Sequence, residues 1–241
     1  MCELELSMAE KVGLARNFKL EWLDLVADCQ MANLTKEEAQ ERLDEMLRQT
    51  INAKDNVRKI RTIMLNLWYN TDDWYQSSSI LACRRIIKSE RVPLHWALLM
   101  VRYPVFFDLC VVIGSMLDYR EDISLAHIRD RIYEKWGARV TLVHSLDKNI
   151  QSLKDIGALT STDTRGLYKS TEFIVSDKSI VSILIAATIE CSGCKYMTWG
   201  EAIHHPALFP FRIEHVSQAD VAACDRLVLE KMGDEVVLRV K

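Results

Sequence analysis

Proline and glycine are scarce in this chain of 241 residues, with four and eight copies. Few breakers favour long helices and disfavour a sandwich or barrel built on many Gly- and Pro-rich turns. No secretory leader is expected either, because MCELELSMAEK is acidic and polar where a leader is basic and then apolar. No apolar run reaches the roughly 20 residues that a membrane-spanning helix needs; VFFDLCVVIGSML and IVSILIAATI are interrupted or too short. The expectation is a soluble, cytoplasmic protein with no membrane partner. There is no excess of positive charge, since 31 Lys and Arg face 34 Asp and Glu for a formal charge of −3. No overall basic field therefore advertises a polyanionic partner. The seven cysteines stand at irregular positions, which in a reducing compartment makes most of them small buried hydrophobes and not a disulfide framework.

Catalytic signatures are missing too. The chain has no phosphate-binding glycine loop, no HExxH, no GxSxG and no carboxylate cluster with metal-nuclease spacing. A non-enzymatic protein without a cofactor is expected. His95 and Asp108 lie in apolar helices, where the natural role is a core residue with a hydrogen-bond partner. Cys191 and Cys194, spaced CSGC with His204 and His205 downstream, suggest zinc or redox chemistry. Zinc asks for four ligands in tetrahedral array, and adjacent histidines on a helix point about 100° apart. No metal site is expected, and packing at a helix end is the better account of the pair.

What remains is helical. Of the chain, 49% is hydrophobic and 27% charged, ample for a real core. KLEWLDLVADCQM places Leu20, Leu23 and Val26 on one face, and NLTKEEAQERLDEML opens with a capping box, Thr35 with Glu38. A third helix, from about Asn56 to Tyr69, carries Ile60, Ile63, Met64 and Leu67; a fourth, Asp73 to Ile86, turns Ile80, Leu81 and Cys83 inward. Pro93 opens a new helix, and Pro104 divides PLHWALLMVRY from PVFFDLCVVIGSML. ISLAHIRDRIYEKWG follows, with Ser124 as N-cap, Ile128, Ile132 and Trp136 at helical spacing, and Gly137 as its stop. RVTLVHSLDKNIQSLKDIG repeats the pattern with Leu142, Leu146, Ile150 and Leu153, and ALTSTDTRGLYKSTEFIV makes two short strands around a polar turn. SIVSILIAATIE is apolar nearly all round and should be buried. MTWGEAIHHPALFPF gives a short helix capped by Thr198 and broken by Pro206, QADVAACDRLVLEKMG a helix ending at Gly233, and DEVVLRV a closing strand. No internal repeat is visible.

The fold expected is mainly α: a helical N-terminal bundle (1–103), a central winged-helix-like unit with a short β-hairpin (104–176), and a helical C-terminal part with a final strand (177–241). In a winged helix the third helix enters the major groove and the wing tip reaches the backbone or minor groove. Its exposed face here would offer Arg139, Thr141, His144, Ser145, Lys148, Asn149, Gln151 and Lys154, with Arg165 and Lys169 on the wing. Asn and Gln suit adenine edges, and Arg and Lys suit phosphate. Against this, residues 136–176 hold five basic and four acidic side chains, a thin excess for counterion release, and many such folds are protein-interaction modules. A second basic surface would form if Arg58, Lys59 and Arg61 on the third helix merged with Arg84, Arg85, Lys88 and Arg91 on the fourth; each cluster is otherwise a solvated helix face. Trp68, Trp74, Tyr75, Trp96, Phe106 and Phe107 belong to the core joining the N-terminal helices to the central unit. Phe209 and Phe211, in the proline-broken loop HHPALFPF, either plug an interface or anchor a partner protein.

The order of these parts resembles a known family. A helical beginning, HWALLMVRYPVFFDL, a winged-helix-like middle ending SLKDIGAL, an apolar helix, then HHPALFPF and a terminal GDEVVLRV are similar to the BrxA-type small accessory proteins of BREX phage-defence systems. The resemblance covers roughly residues 90 to 241, and GLARNFKLEWLD lies outside it. It implies a non-catalytic, mainly helical DNA-binding accessory of a bacterial antiviral assembly, with double-stranded DNA and other proteins of the defence complex as partners. Only the winged-helix positions carry over. The alternatives are an interaction adaptor that uses the hairpin and Phe209/Phe211 without touching DNA, and a winged-helix transcriptional regulator.

Overall fold

The computed structural model describes residues 14–69 and 74–241. The acidic leading stretch, Asp72 and the Asp73 start expected for the fourth helix lie outside the described residues. The fold is mainly α, with eleven α-helices among the described residues and sheets of two or three strands.

Helices α1 (Leu20–Met31), α2 (Lys36–Arg48) and α3 (Lys54–Trp68) pack on one another. The expected capping box starts α2: the Thr35 hydroxyl accepts from the Glu38 amide, and the Glu38 carboxylate accepts from the Thr35 amide. Their apolar stripes meet at Leu23, Val26, Leu43, Leu47, Ile60, Met64 and Leu67, all buried. Helix α4 (Trp74–Cys83) lies on α1 and on two later helices; Cys83 is buried, but Leu81, expected inward, is 60% exposed. The buried stripe of α4 is Tyr75, Ser79, Ala82 and Cys83, a rotation that puts Leu81 on the water side.

The apolar stretch divides at Pro104 as expected. Helices α5 (Val92–Arg102) and α6 (Pro104–Leu117) meet at a sharp bend of 118°, and no single helix among the described residues is long and apolar enough to cross a membrane. Helix α5 is buried from Val92 to Met100 and packs along α9 (Lys178–Ser192), which is buried from Ile180 to Ile189. These two helices, apolar all round, form the centre of one continuous core that draws residues from Leu14 to Leu238.

After α6 the chain runs through β1 (Ile123–Ser124), α7 (Leu125–Trp136), α8 (Val140–Asp155), β2 (Leu159–Ser161) and β3 (Leu167–Ser170). The expected three helices and hairpin are present. A two-residue strand joins them, giving an antiparallel sheet of order β1-β3-β2 in which Ile123 faces Tyr168 and Leu159 faces Ser170. Ser124 caps α7 by accepting from the His127 amide. The run EFIV does not extend the hairpin. As β4 (Phe173–Val175) it leaves for a parallel pairing with β6 (Phe211–Ile213).

The closing region departs from expectation. Helix α11 is only Gln218–Ala222, and LVLEKM is strand β7 (Leu227–Met232), paired register for register with β8 (Glu235–Val240) across Gly233. A Ser217–Asp220 capping box does start a helix, but LVL and VVL are β-branched or bulky and gain more from pairing across a tight turn. With β5 (Met197–Thr198) the sheet order is β5-β8-β7.

Two stretches therefore trace the same path. The sequence α6–β1–α7–α8–β2–β3 is matched by α9–β5–α10–α11–β7–β8, where α10 is Trp199–Ile203, and each sheet places its third strand between the other two. In both, a two-residue strand ends on a hydroxyl that caps the next helix, Ser124 in one and Thr198 in the other. This is an internal repeat of topology that residue identities do not reveal.

Two features lock the fold, one polar and one steric. Asp24 and Asp28 of α1 face α5: Arg91 lies 2.7 Å from Asp28, Lys88 2.6 Å from Asp28, and His95 Nε2 3.2 Å from Asp24. Burial would raise the Asp28 carboxyl, yet hydrogen bonds from Lys88 and Arg91 hold it below its ordinary value. Burial depresses His95, although Asp24 lies beside it, with Arg91 nearby and the Trp68 ring edge-on at 5.3 Å. The second feature is Gly114 of α6, where a Cβ would fall 2.0 Å from the Pro206 carbonyl oxygen.

The unfolded chain binds a proton at His95 that the folded chain refuses, so this contribution to stability is present above about pH 6.5 and is lost as the pH falls below it. Lowering the pH from 7 to 5 should therefore reduce stability through this group. Urea midpoints across that range should show a shallower slope for His95→Gln, which keeps a donor toward Asp24 without titrating. At the other lock, Gly114→Ala overpacks backbone against backbone and should lower stability by about 1–3 kcal/mol in thermal or urea unfolding.

Candidate nucleic-acid interface

Helix α8 buries the expected stripe Leu142, Leu146, Ile150 and Leu153, and ends at Asp155, with Ile156 as C-cap before Gly157, whose φ is 83°. Beside that stripe runs a second buried one, at Ser145, Asn149 and Ser152. The segment ahead of α1 lies across it. The Ser145 hydroxyl and the Asn149 amide donate to the Leu14 carbonyl at 2.8 and 3.3 Å, and the Phe18 amide donates to the Ser152 hydroxyl at 2.8 Å. The sequence pattern puts Ser145 and Asn149 on the open face; instead both are fully buried and anchor the chain's own backbone. Helical position alone could not separate them from the exposed set, because a polar stripe facing a strap of backbone has the composition of one facing solvent.

The open face of α8 is the remaining arc. Thr141, His144, Lys148 and Gln151 are exposed on it, together with Val140, Asp147 and Asp155. The two acids are engaged: Asp147 pairs with Arg129 of α7, and Asp155 accepts from the Gln151 amide at 2.8 Å. Arg139 sits just ahead of the helix, exposed. Lys154 is half-buried, its ammonium 5.8 Å over the Tyr168 ring of β3, which ties helix to hairpin. At the tip, Thr162 closes the turn through hydrogen bonds with Thr164 and Leu167, Gly166 takes φ 83°, and Arg165 is exposed between them. Lys169 on β3 reaches Glu121 at 3.7 Å. Helix face and hairpin tip thus present Thr141, His144, Lys148, Gln151, Arg139 and Arg165 in one unit.

The second basic surface does not assemble. Helix α3 packs on α1, α2 and α5, whereas α4 packs on α1, α5 and α9. Arg58 and Lys59 both pair with Asp55, Arg61 with Asp44, Lys88 with Asp28, and Arg91 is buried. Arg84 donates to Asn33 at 3.4 Å and Arg85 to Ser179 at 2.9 Å. Arg58 and Lys59 pair within their own helix, while Arg61, Lys88, Arg84 and Arg85 bridge to neighbouring elements.

Phe209 and Phe211 are not an exposed anchor. Phe211 is 7% exposed and Phe209 half-buried; both lie edge-on to Trp96, 5.2 and 5.3 Å between centroids. Asp108 has the partners expected of a core carboxylate, Lys135 at 2.6 Å and the Trp136 indole at 2.7 Å. Cys191 is half-buried at the end of α9 with its thiol pushed up to about 12 by burial, and Cys194 is exposed past Gly193. His205 turns its Nδ1 to the Ala207 amide and stacks on Phe107, and burial lowers it. Among the described residues, no three His, Cys, Asp or Glu side chains gather as metal ligands. A groove of about 720 Å³ opens between α6 and α7, floored by Val111, Val112 and Met116 and rimmed by Tyr119, which is 88% exposed.

No protein-family model, no curated protein and no solved structure matches the chain.

The buried stripe of α8 and its open face are separable. Asn149→Ala removes a donor to Leu14 and leaves a void, and should cost about 1–3 kcal/mol in urea unfolding. Limited proteolysis should show earlier cleavage near Leu14 in that variant and not in Gln151→Ala.

Proposed function

We propose that the chain is a non-enzymatic duplex-DNA-binding protein in which α6 to β3 act as a winged helix, with α8 the groove helix and the β2–β3 hairpin the wing. The supporting observation is the distribution of charge. Arg139, Lys148 and Arg165 are exposed and have no ion pair among the described residues, whereas Asp147 and Asp155 on the same face are already engaged. Asp155 keeps its charge, because the Gln151 amide it accepts from is neutral, and Asp163 at the tip is exposed, so three exposed cations face two carboxylates without an ion pair among the described residues, an excess of one positive charge. Phosphate contacts from these cations would set orientation, and Thr141, His144 and Gln151 would face base edges. The second copy of the topology offers no equivalent, since α11 has five residues and α8 has 16. The resemblance to BrxA-type proteins gives this activity its setting, an accessory role in a bacterial antiviral assembly.

The adaptor reading loses its aromatic anchor, because Phe209 and Phe211 serve the core. What favours it is the groove beside Tyr119, lined by residues of α6, β1 and α7 and by none of α8.

Anisotropy of a labelled duplex, titrated from about 50 to 200 mM salt, tests the proposal. Removing one cation that neutralises a phosphate should flatten the log–log salt slope by about 1. The Lys148→Ala/Arg165→Ala double variant should bind more weakly with a slope smaller by about 2, while Lys231→Ala on the second hairpin leaves it unchanged. No binding by the parent protein at the lowest salt would overturn the proposal.

A further inference from the structure

The open stripe of α8 contains one residue that does not belong on a solvated helix face. Val140 is 74% exposed, and as the first residue of the helix it stands at i, i+4, i+8 and i+11 with His144, Lys148 and Gln151. Residues so spaced share one side of a helix. Ahead of Val140, Gly137 and Ala138 are exposed and small, and a Cβ at Gly137 would meet nothing within 4 Å. Apart from Arg139, the turn presents no bulk in front of the valine.

Resting on the DNA-binding role proposed above, we infer that Val140 reads thymine through its C5-methyl group. The major groove is otherwise lined by hydrogen-bond donors and acceptors, and the thymine methyl is the apolar mark that sets A·T apart there. The first turn of a groove helix is the part that meets base edges in helix-turn-helix proteins. Flanking Arg139 and Lys148, unpaired among the described residues, supply the charge complementarity that makes duplex DNA the occupant of this face. A branched apolar side chain held among cations gains nothing from water and gains contact area from a methyl group.

The test needs no knowledge of the preferred site. A random-sequence duplex pool is prepared with thymidine or with deoxyuridine triphosphate, which pair identically and differ by the C5-methyl. At one salt concentration the parent protein should bind the thymine pool about fourfold more tightly for each methyl buried. Val140→Ala, a change at an exposed site that helix propensity favours, should bind the two pools alike and keep the parent salt slope. Equal binding of both pools by the parent protein, with its salt dependence intact, overturns the thymine inference and leaves the DNA role standing. Discrimination that survives Val140→Ala also overturns it. Binding to neither pool overturns the DNA role, and the inference with it.

Discussion

Trp96 is the side chain on which the arrangement depends. Its indole nitrogen donates to the Ala207 carbonyl at 3.0 Å, and its ring takes Phe106, Phe209 and Phe211 edge-on. One residue of the buried helix α5 thereby fixes α6, the loop through Pro206 and strand β6. Strand β6 pairs with β4, which directly follows the wing. The position of the hairpin is thus set from the centre of the core, through Phe211 against Phe173 at 5.9 Å. Edge-to-face pairs of this kind add about 0.5–1.5 kcal/mol each beyond the area they bury. The close contact of Gly114 with Pro206 completes the clamp, because only a residue without a Cβ lets α6 come so near.

Charge is used in two ways. In the N-terminal region five of the seven basic side chains named from the sequence have an acidic partner on a neighbouring element or one turn away, and Arg84 and Arg85 donate to Asn33 and Ser179. Arg91 is the extreme case, buried between Asp24 and Asp28; a buried pair of this kind specifies an arrangement more than it stabilises one. On α8 the pattern reverses: Arg139 just ahead of it and Lys148 have no ion pair among the described residues, while Asp147 pairs with Arg129 and Asp155 accepts from Gln151. Formal charge summed over a segment cannot express this, because it counts a paired and an unpaired arginine equally.

Much of the architecture was legible in the sequence. Apolar periodicity, Ser124, Thr35 and Thr198 as caps, and Gly137 and Gly157 as stops carry local information, and each element they mark is present. The errors share one physical origin: their cause lies in a partner remote in sequence. Ser145 and Asn149 are buried because Leu14, more than 130 positions earlier, lies on them. Phe209 and Phe211 are sheltered by Trp96, LVLEKM is a strand because EVVLRV follows it in register, and Leu81 faces water because of how α4 sits on α9. Of the site, Thr141, His144, Lys148, Gln151, Arg139 and Arg165 were identifiable from helical position and turn chemistry. Val140 was not, since an apolar residue at a helix start is taken for core until its exposure is seen.

The repeated topology explains why only one copy carries a candidate interface. Both copies begin with a helix, but α9 is enclosed on all sides by α4, α5 and the closing elements, while α6 keeps part of its surface open along the groove beside α7. The copy that supplies the core helix has its next two helices reduced to five residues each and gains instead the Pro206 turn and β6, the elements that Trp96 grips. The other copy is relieved of that task. Its second and third helices reach 12 and 16 residues, long enough for α8 to bury one side against its own unit, a second against the Leu14–Phe18 strap, and still turn a third outward. A helix held on two sides presents the third without freedom to reorient, and that rigidity is what an exposed row of side chains needs if it is to recognise a fixed surface.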